Sequence, residues 1–427
     1  MADPIPEPAP EPATETKPEK GATTGLAAMR YRDFQLLFIG KVFGWMALHM
    51  LMVSVGLQIW EETKEPWNLA LVGLSTFAPA IGFALITGYV ADLYDRRLVV
   101  AVCYGIILVA SALLLFVTLT GFTDVWPVFA ILALMGTGRA FYQPAANALV
   151  PNLVPTRIFA NAIAWHTSSN KITQTVGPAL GGIFYEWLGP DAVYAIACVG
   201  LFIAVITVLM IRIRTERGSR APTTLRILLA GISFVYEKKI IFGSLVLDLF
   251  AVLLGGVTIL LPIFAIEILQ VGPSGAGFLR SAMAAGSLAT GLALTLISMD
   301  RGVGRILFVT VILYGAATVV FGLSELYWLS LVAMATLGAA DMVSVYIRVT
   351  LIQIATPDDM RGRVSAVSSV FTGASNELGE ARAGAMAALF GVVPAVVFGG
   401  LGAIAVTIGC WFLFPALAKV QRMDRNL

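Results

Sequence analysis

Charged residues are scarce in this chain of 427 residues. Asp, Glu, Lys and Arg together make up 13% of the sequence, whereas 58% of it is hydrophobic. A soluble globular protein carries about 25% charged residues, so this chain lacks the side chains to cover a water-facing surface. The scarcity excludes a cytosolic enzyme, a nucleic-acid-binding protein and a disordered chain, and it indicates a protein of the lipid bilayer.

Cysteine and histidine are also rare, with three and two residues respectively. Cys103, Cys198 and Cys410 each lie inside an apolar stretch and show neither metal nor redox spacing, so we expect small buried residues. No Ser/His/Asp arrangement stands out. The sequence therefore predicts no metal site, no bound cofactor and no enzyme.

Long apolar runs alternate with short polar breaks from Phe34 onward. A membrane crossing needs about 20 apolar residues, and no alternating ten-residue pattern suggests a barrel. We therefore predict an all-α membrane protein with twelve transmembrane helices. The predicted crossings are 34–60, 69–90, 98–120, 126–149, 160–187, 190–213, 240–267, 276–298, 306–323, 328–352, 364–389 and 394–415.

The chain divides into two halves of similar length. A shift of 202 residues aligns Gly136 with Gly338 and Arg139 with Asp341, which indicates two related six-helix bundles that rock about a central site. Six prolines in the first 20 residues predict a disordered tail. The predicted division is a cytoplasmic tail over 1–33, bundles over 34–213 and 240–415, a cytoplasmic connection over 214–239 and a tail over 416–427.

Positive charge is distributed unevenly along this predicted topology. If the amino terminus is cytoplasmic, 21 of the 28 Lys and Arg residues lie on that side, six lie inside crossings, and Lys64 alone lies on the other side. The positive-inside rule requires such an asymmetry. We therefore expect a multi-pass protein of the bacterial cytoplasmic membrane with both termini in the cytoplasm.

Two motifs lie at predicted helix ends and helix contacts. The loop after the second crossing contains Gly88, Asp92, Arg96 and Arg97, which suits close helix approach, a carboxylate at a helix amino end and basic anchors; an ordinary basic loop is the alternative. The fifth crossing contains Gly-Pro-x-x-Gly-Gly, which permits close packing and a bend. Its members are Gly177, Pro178, Gly181 and Gly182.

These motifs resemble those of the major facilitator superfamily. The Gly88 loop is similar to its gating loop, although Asp95 stands where many members have glycine, and the Gly-Pro-x-x-Gly-Gly sequence resembles the motif of its proton antiporters. The segment from Arg139 to Pro155 and the later pair Glu377 and Glu380 look like the branch that contains the enterobactin exporter and macrolide efflux pumps. The resemblance implies a twelve-helix fold, efflux and a fourth-helix arginine, Arg139, involved in proton transfer.

Ionised residues inside the crossings are the candidate functional residues, because each costs about 2.5–3.5 kcal/mol on insertion scales. All four acids lie in the second half, whereas the first half holds only cations. We expect proton coupling to involve Asp341, Glu377, Glu380, Asp248 and Arg139. We expect the substrate cavity to be lined by Lys41, Trp45, His49, Gln143, Lys171 and Arg348.

Structural alternatives apply to several of these residues. Glu377 and Glu380 share a helix face, which suits proton uptake, but both could instead pair with Arg348 or Arg382. Lys41 could reach the membrane surface, and Arg280 and Asp248 could be interfacial. We expect His166 to be a hydrogen-bonded core residue.

The sequence thus predicts a proton-coupled exporter of a bulky amphiphile, a siderophore or a hydrophobic drug, with the proton gradient as its only coupling agent. The excess of cations favours an anionic or catechol-like cargo. The expected partners are a small-molecule substrate and the bilayer, without nucleic acid, for a monomer. Alternatives are a lysophospholipid or nutrient transporter of the same fold and, in another class, a non-transporting membrane sensor or scaffold.

Overall fold

The computed structural model describes residues 25–121, 124–213, 225–297, 299 and 301–422. Helices account for most of these residues, and no strand is assigned among them. The long helices, in chain order, are α1 Arg32–Thr63, α2 Pro66–Leu93, α3 Arg96–Thr120, α4 Trp126–Leu149, α5 Phe159–Leu209, α6 Leu225–Glu237, α7 Lys239–Gly255, α8 Gly272–Leu296, α9 Val303–Leu323, α10 Tyr327–Ala355, α11 Asp358–Phe390 and α12 Val392–Leu413.

Eight helical stretches of the described residues are long and apolar enough to cross a membrane. One of them contains two predicted crossings, because α5 is interrupted at Gly189, whose φ of 85° is accessible to glycine at little cost. Three further helices, α2, α4 and α11, have 28, 24 and 33 residues and are therefore also long enough. The described chain is thus consistent with twelve crossings, and their bounds lie close to those predicted.

The two halves use the same kind of helix crossing. A Cβ atom at Gly136 of α4 would collide with the backbone carbonyl of Thr76 in α2, and one at Gly338 of α10 would collide with that of Met283 in α8. Only glycine allows backbones to approach this closely. The two glycines that the 202-residue shift aligns therefore make equivalent contacts, which supports the repeat.

The chain between α7 and α8 departs from one continuous helix. After Gly255 it continues through short helices at Thr258–Leu260, Leu261–Ile263 and Phe264–Ile268. The last of these has π-helical hydrogen bonding. We call residues 258–268 the outer segment. Interruptions of this kind occur inside membranes where the backbone is buried in protein or lines a cavity.

Two regions predicted as tail or connection contain structure. Residues 25–31 form a turn whose Ala28 amide donates to Asn161 Oδ1 at 2.9 Å, which differs from a tail disordered through residue 33. Residues 225–237 form α6, and Gly231 of α6 packs on the Arg363 carbonyl of α11. The remainder of both regions, 1–24 and 214–224, lies outside the described residues, so the domain boundaries stay predictions.

The halves contact each other near one end of the helices. We call the end that carries Arg96, Arg97, Arg361 and Arg363 the basic end, and the other the opposite end. Near the opposite end, a Cβ at Gly182 of α5 would lie 3.1 Å from Gly277 Cα of α8. There too, a Cβ at Gly384 of α11 would lie 2.7 Å from Ala70 Cβ of α2.

At the basic end of α2 and α11 the corresponding glycines have room around them. A Cβ at Gly88 or at Gly362 would meet no atom within 4 Å. The structure therefore joins the halves at the opposite end, while these positions at the basic end do not pack against a neighbour.

Candidate transport cavity

A cavity of about 290 Å³ lies between the two halves. Helices α1 and α5 contribute residues from the first half, and α8, α10, α11 and the outer segment contribute residues from the second. Most of the lining side chains are polar or charged, unlike those of a closed apolar contact. The lining residues are His49, Lys171, Gln174, Thr258, Arg280, Met283, Ala284, Ser287, Gly338, Asp341, Asn376 and Glu380.

Cations and carboxylates face each other in this cavity. Lys171 belongs to the first half, and its Nζ donates to Ser287 Oγ of α8 at 3.3 Å, so this bond joins the halves. Asp341, Glu380 and Arg280 belong to the second half. The structure thus brings Asp341 and Glu380, which the sequence assigned to proton coupling, into one cavity with Lys171 and His49, which were expected to line the substrate cavity.

Glu380 has a specific partner in the cavity. Its Oε1 accepts a hydrogen bond from the hydroxyl of Thr258, the first residue of the outer segment. The same side chain also approaches α2, since a Cβ at Gly73 would lie 3.9 Å from Glu380 Oε2. Glu380 therefore contacts the cavity, the outer segment and the first half at once.

Arg139 and Glu377 form an ion pair between the halves. Arg139 Nη2 of α4 lies 3.9 Å from Glu377 Oε1 of α11, and the side chains are 30% and 23% exposed. The predicted alternative partners of Glu377 were Arg348 and Arg382, but the structure gives it the fourth-helix arginine. Two residues assigned to proton coupling from the sequence thus lie together.

Asp248 and Arg348 form a second ion pair, away from the main cavity. Their side chains are 7% and 3% exposed and make a close contact between α7 and α10. The prediction that Arg348 lines the substrate cavity is not supported, because burial against Asp248 removes it from that surface. Asp248 is not interfacial either. A second cavity of about 10 Å³, room for roughly one water, lies between Asp248 and Asp341.

Lys41 is buried instead of lining the cavity. Its side chain donates from Nζ to the backbone carbonyl of His166 at 2.7 Å, and the residue is 2% exposed. Trp45 packs its ring against Tyr142, with 5.6 Å between centroids, and against His49, with 5.9 Å. Of these three predicted cavity residues of α1, only His49 lines the cavity.

Gln143 is exposed on α4, where its Nε2 donates to Asn147 Oδ1 at 3.1 Å. This bond confirms that the two side chains share a helix face, as their i, i+4 spacing indicates. Gln143 does not belong to the main cavity as the described residues define it.

Sequence reasoning missed several cavity residues. Arg280 was weighed as an interfacial residue, but it lines the cavity. Helix α8 begins at Gly272, before the predicted crossing, so Arg280 lies about two turns inside the helix. Uncharged polar residues gave no signal, since single Ser, Thr, Asn and Gln residues are common in membrane helices. The missed residues of this kind are Gln174, Thr258, Ser287 and Asn376.

The Gly-Pro-x-x-Gly-Gly motif connects three helices. Gly177 and Gly181 face α1, where added Cβ atoms would lie 2.6 Å from His49 Cβ and 2.9 Å from Met50 Cα. Gly182 faces α8 of the other half. The Pro178 carbonyl lies against Gly277, so a Cβ at Gly277 would collide with it. The motif thus permits both packing within the first half and contact between the halves.

The loop between α2 and α3 ties helix ends of the first half together. Arg96 donates to the Ala148 carbonyl at 2.9 Å, near the end of α4. Arg97 donates to the Ile211 carbonyl beyond α5, and Asp95 caps α3 by accepting from the Arg97 amide at 3.0 Å. Asp95 therefore acts as a helix cap in place of glycine. The side chain of Asp92 lies outside the description.

Comparison with known proteins gives a consistent result. The sequence profile described as transmembrane secretion effector matches residues 23–426. Macrolide efflux protein A of Streptococcus pyogenes is 24% identical over 400 residues, covering 92% of this chain and 97% of the relative. Enterobactin exporter EntS of Citrobacter koseri is 24% identical over 402 residues, covering 91% and 93%.

Solved structures share the fold at low sequence identity. A bacterial homologue of the human lysosomal transporter Spinster, inward-facing and unoccupied, has a TM-score of 0.67 at 16% identity over 90% of this chain and 95% of that one. A D-xylose–proton symporter has a TM-score of 0.69 at 15% identity over 93% and 100%. With its cavity between two six-helix halves, the chain belongs to the transmembrane secretion effector family of the major facilitator superfamily.

Proposed function

We propose that this protein exports a bulky amphiphilic small molecule in exchange for protons, by alternating access. The observation that carries the proposal is the cavity between the halves, in which Asp341 and Glu380 lie beside Lys171 and Arg280. Carboxylates in such a cavity can take up and release protons, and cations and amides can bind polar groups of a cargo. Protons and cargo then favour different arrangements of the same two halves.

The cargo class is inferred from the relatives. They are named for export of a macrolide and of enterobactin, so a hydrophobic drug or a siderophore is the proposed cargo. In this cavity the two cations are matched by two carboxylates, and Lys41 and Arg348 lie outside it. The cavity therefore favours an anionic cargo less strongly than the count of cations in the sequence suggests.

We place the protein in the bacterial cytoplasmic membrane as a monomer with both termini in the cytoplasm. The uneven distribution of Lys and Arg supports this orientation. In it, the basic end faces the cytoplasm and the joined opposite end faces outward. A nutrient or lysophospholipid transporter of the same fold is the alternative. A sensor or scaffold would not need ionised residues in a central cavity. The relatives are transporters, which argues against an enzyme.

The proposal is tested in everted membrane vesicles that contain the full-length protein. A pH-sensitive dye reports the acidic interior while a macrolide or enterobactin is added outside. Because the cytoplasmic face is outward in these vesicles, an exporter accumulates the cargo and releases protons from the interior. We expect cargo-dependent proton release and accumulation that stops when an ionophore collapses the pH gradient.

Variants identify the coupling groups. Asp341→Asn and Glu380→Gln should reduce gradient-driven accumulation by at least about tenfold, since each removes a carboxylate that can carry a proton. Glu325→Gln, which changes an exposed carboxylate in the turn before α10, is the matched control and should leave transport unchanged. Accumulation that ignores the gradient would refute proton exchange, and normal coupling in both cavity variants would refute the choice of acids.

A further inference from the structure

The outer segment is one of the parts of the second half that contact the first half toward the opposite end. Pro262 lies against α1, with its Cγ 3.4 Å from a Cβ position at Gly56. Glu267 pairs with Lys64 at the end of α1, at 3.3 Å. Opening at the opposite end therefore requires this segment to separate from the first half.

Helix α11 contacts the end of α7 and the start of the outer segment through three neighbouring residues. Gly379 packs on the backbone of Gly256, Glu380 accepts the hydrogen bond of Thr258, and Arg382 donates to the Leu254 carbonyl. The glycine has no charge to change, and an arginine stays protonated in proteins. Only the contact of Glu380 with Thr258 can respond to a proton.

Glu380 lies where both a proton and the cargo can bind to it. Its carboxylate lines the cavity, where water and cargo can reach it, and α2 faces it with the uncharged Gly73. A proton on Glu380 would weaken the contact, because hydrogen bonds to an ionised acceptor are about twice as strong as neutral ones. The titratable and charged groups around it are His49 of α1, Lys171 of α5, Arg280 of α8, Tyr314 of α9, Asp341 of α10, and Glu377 and Arg382 of α11.

We propose that Thr258 is a positioning residue that locks the outer segment to Glu380 only while this carboxylate carries neither a proton nor cargo. An exchanger must not reorient when it is empty, since an empty carrier that reorients lets cargo leak without proton exchange. Either ligand releases the lock: a proton from the cavity water neutralises the carboxylate, and a donor group of the cargo replaces the Thr258 hydroxyl. This inference rests on the proposed function and adds the element that enforces its coupling.

The test measures opening directly, without transport. Spin labels are attached to cysteines introduced by Trp67→Cys in α2 and Leu389→Cys in α11, two exposed positions at the opposite end, after replacement of the three native cysteines. Pulsed electron resonance then gives the distance between labels in full-length protein in lipid nanodiscs. For the otherwise unchanged protein we expect short distances in mildly alkaline buffer and a growing long-distance population in acid.

Removal of the hydroxyl should unlock the segment. We expect Thr258→Val to raise the long-distance population in alkaline buffer at least about tenfold, as for loss of a hydrogen bond to a charged group, and to abolish the pH response. Glu380→Gln should behave in the same way, whereas Thr258→Ser should restore the original behaviour. Thr336→Val is the matched control, because that hydroxyl bonds only the Val332 carbonyl of its own helix.

Two outcomes would overturn the lock. Thr258→Val could keep both the short distances and the pH response, or Thr258→Ser could behave like Thr258→Val, which would assign the effect to packing. If Thr258→Val fails to fold, Thr258→Ala takes its place as the variant without a hydroxyl and is compared with Thr258→Ser and Glu380→Gln in the same way. Coupled export with no change in distances refutes the lock alone, whereas a pH-dependent lock without cargo-driven proton release refutes the proposed function alone.

Discussion

Two buried cations, one in each half, have different partners. Lys41 and Arg348 are each 2% exposed. Arg348 meets the carboxylate of Asp248, whereas Lys41 donates to the backbone carbonyl of His166 and pairs with no carboxylate among the described residues. A buried charge without a counter-charge is costly, so the same degree of burial has different consequences. The halves share a scaffold, but their internal electrostatics differ.

The largest effect is expected in the second half. Arg348→Met and Asp248→Leu should each lower the free energy of unfolding by about 3–5 kcal/mol, because each leaves the partner charge buried and unpaired. The double variant should recover most of this loss. Thermal unfolding of the purified protein in detergent measures it, and a double variant as unstable as the single ones would argue against the ion pair.

The glycines that are equivalent in the two halves should respond alike. Gly136→Ala and Gly338→Ala each place a Cβ against a backbone carbonyl, of Thr76 and of Met283, and overpacking costs about 1–3 kcal/mol. Gly105→Ala is the control, since a Cβ there meets no atom within 4 Å. Similar drops in the unfolding midpoint would support the symmetry of the scaffold, and a large difference between the halves would contradict it.

Lys41→Met should change stability by no more than about 1 kcal/mol and can raise it, because a buried cation without a carboxylate gains little from its charge. The His166 carbonyl keeps the hydroxyl of Ser169 as a donor at 2.7 Å. The thermal unfolding midpoint of Lys41→Met is measured and compared with that of Arg348→Met. An equal loss in both variants would mean that Lys41 is neutralised as fully as Arg348.

The smallest effect is expected at the exposed pair between the halves. Lys64→Gln should change the free energy of unfolding by about 0–1 kcal/mol, since both Lys64 and Glu267 are about half exposed. The same substitution measured at high salt is the control, because salt already screens an exposed pair. A larger loss at low salt would contradict the weak contribution expected of an exposed pair.

The fold could be predicted well because it depends on features that sequence displays directly. Apolar runs gave the crossings, and the alignment of Gly136 with Gly338 identified two positions that make equivalent contacts. The break of α7 after Gly255 was missed because the run 240–267 is apolar throughout, although Gly255-Gly256 and Pro262 are residues that interrupt helices. Helix α6 was not predicted either, because it packs on α11, which lies far along the chain.

The candidate site was only partly predictable, because the choice of partner depends on tertiary contacts. Spacing placed Glu377 and Glu380 on one face of their helix. It could not show that Glu377 meets Arg139 rather than an arginine of its own half. Nor could it show that Lys41 and Arg348 are buried, since a cation in an apolar helix looks the same in sequence whether it meets water, a carboxylate or a carbonyl.

Three of the chain reversals at the opposite end take only one or two residues. Positions 64–65 separate α1 from α2, Gly189 divides α5, and Gly391 alone separates α11 from α12. Such tight reversals expose little polypeptide for an antibody to bind and offer few sites for an inserted epitope. Antibodies that help to orient this small protein in electron cryomicroscopy should therefore be sought against the basic end, where α6 provides a larger surface.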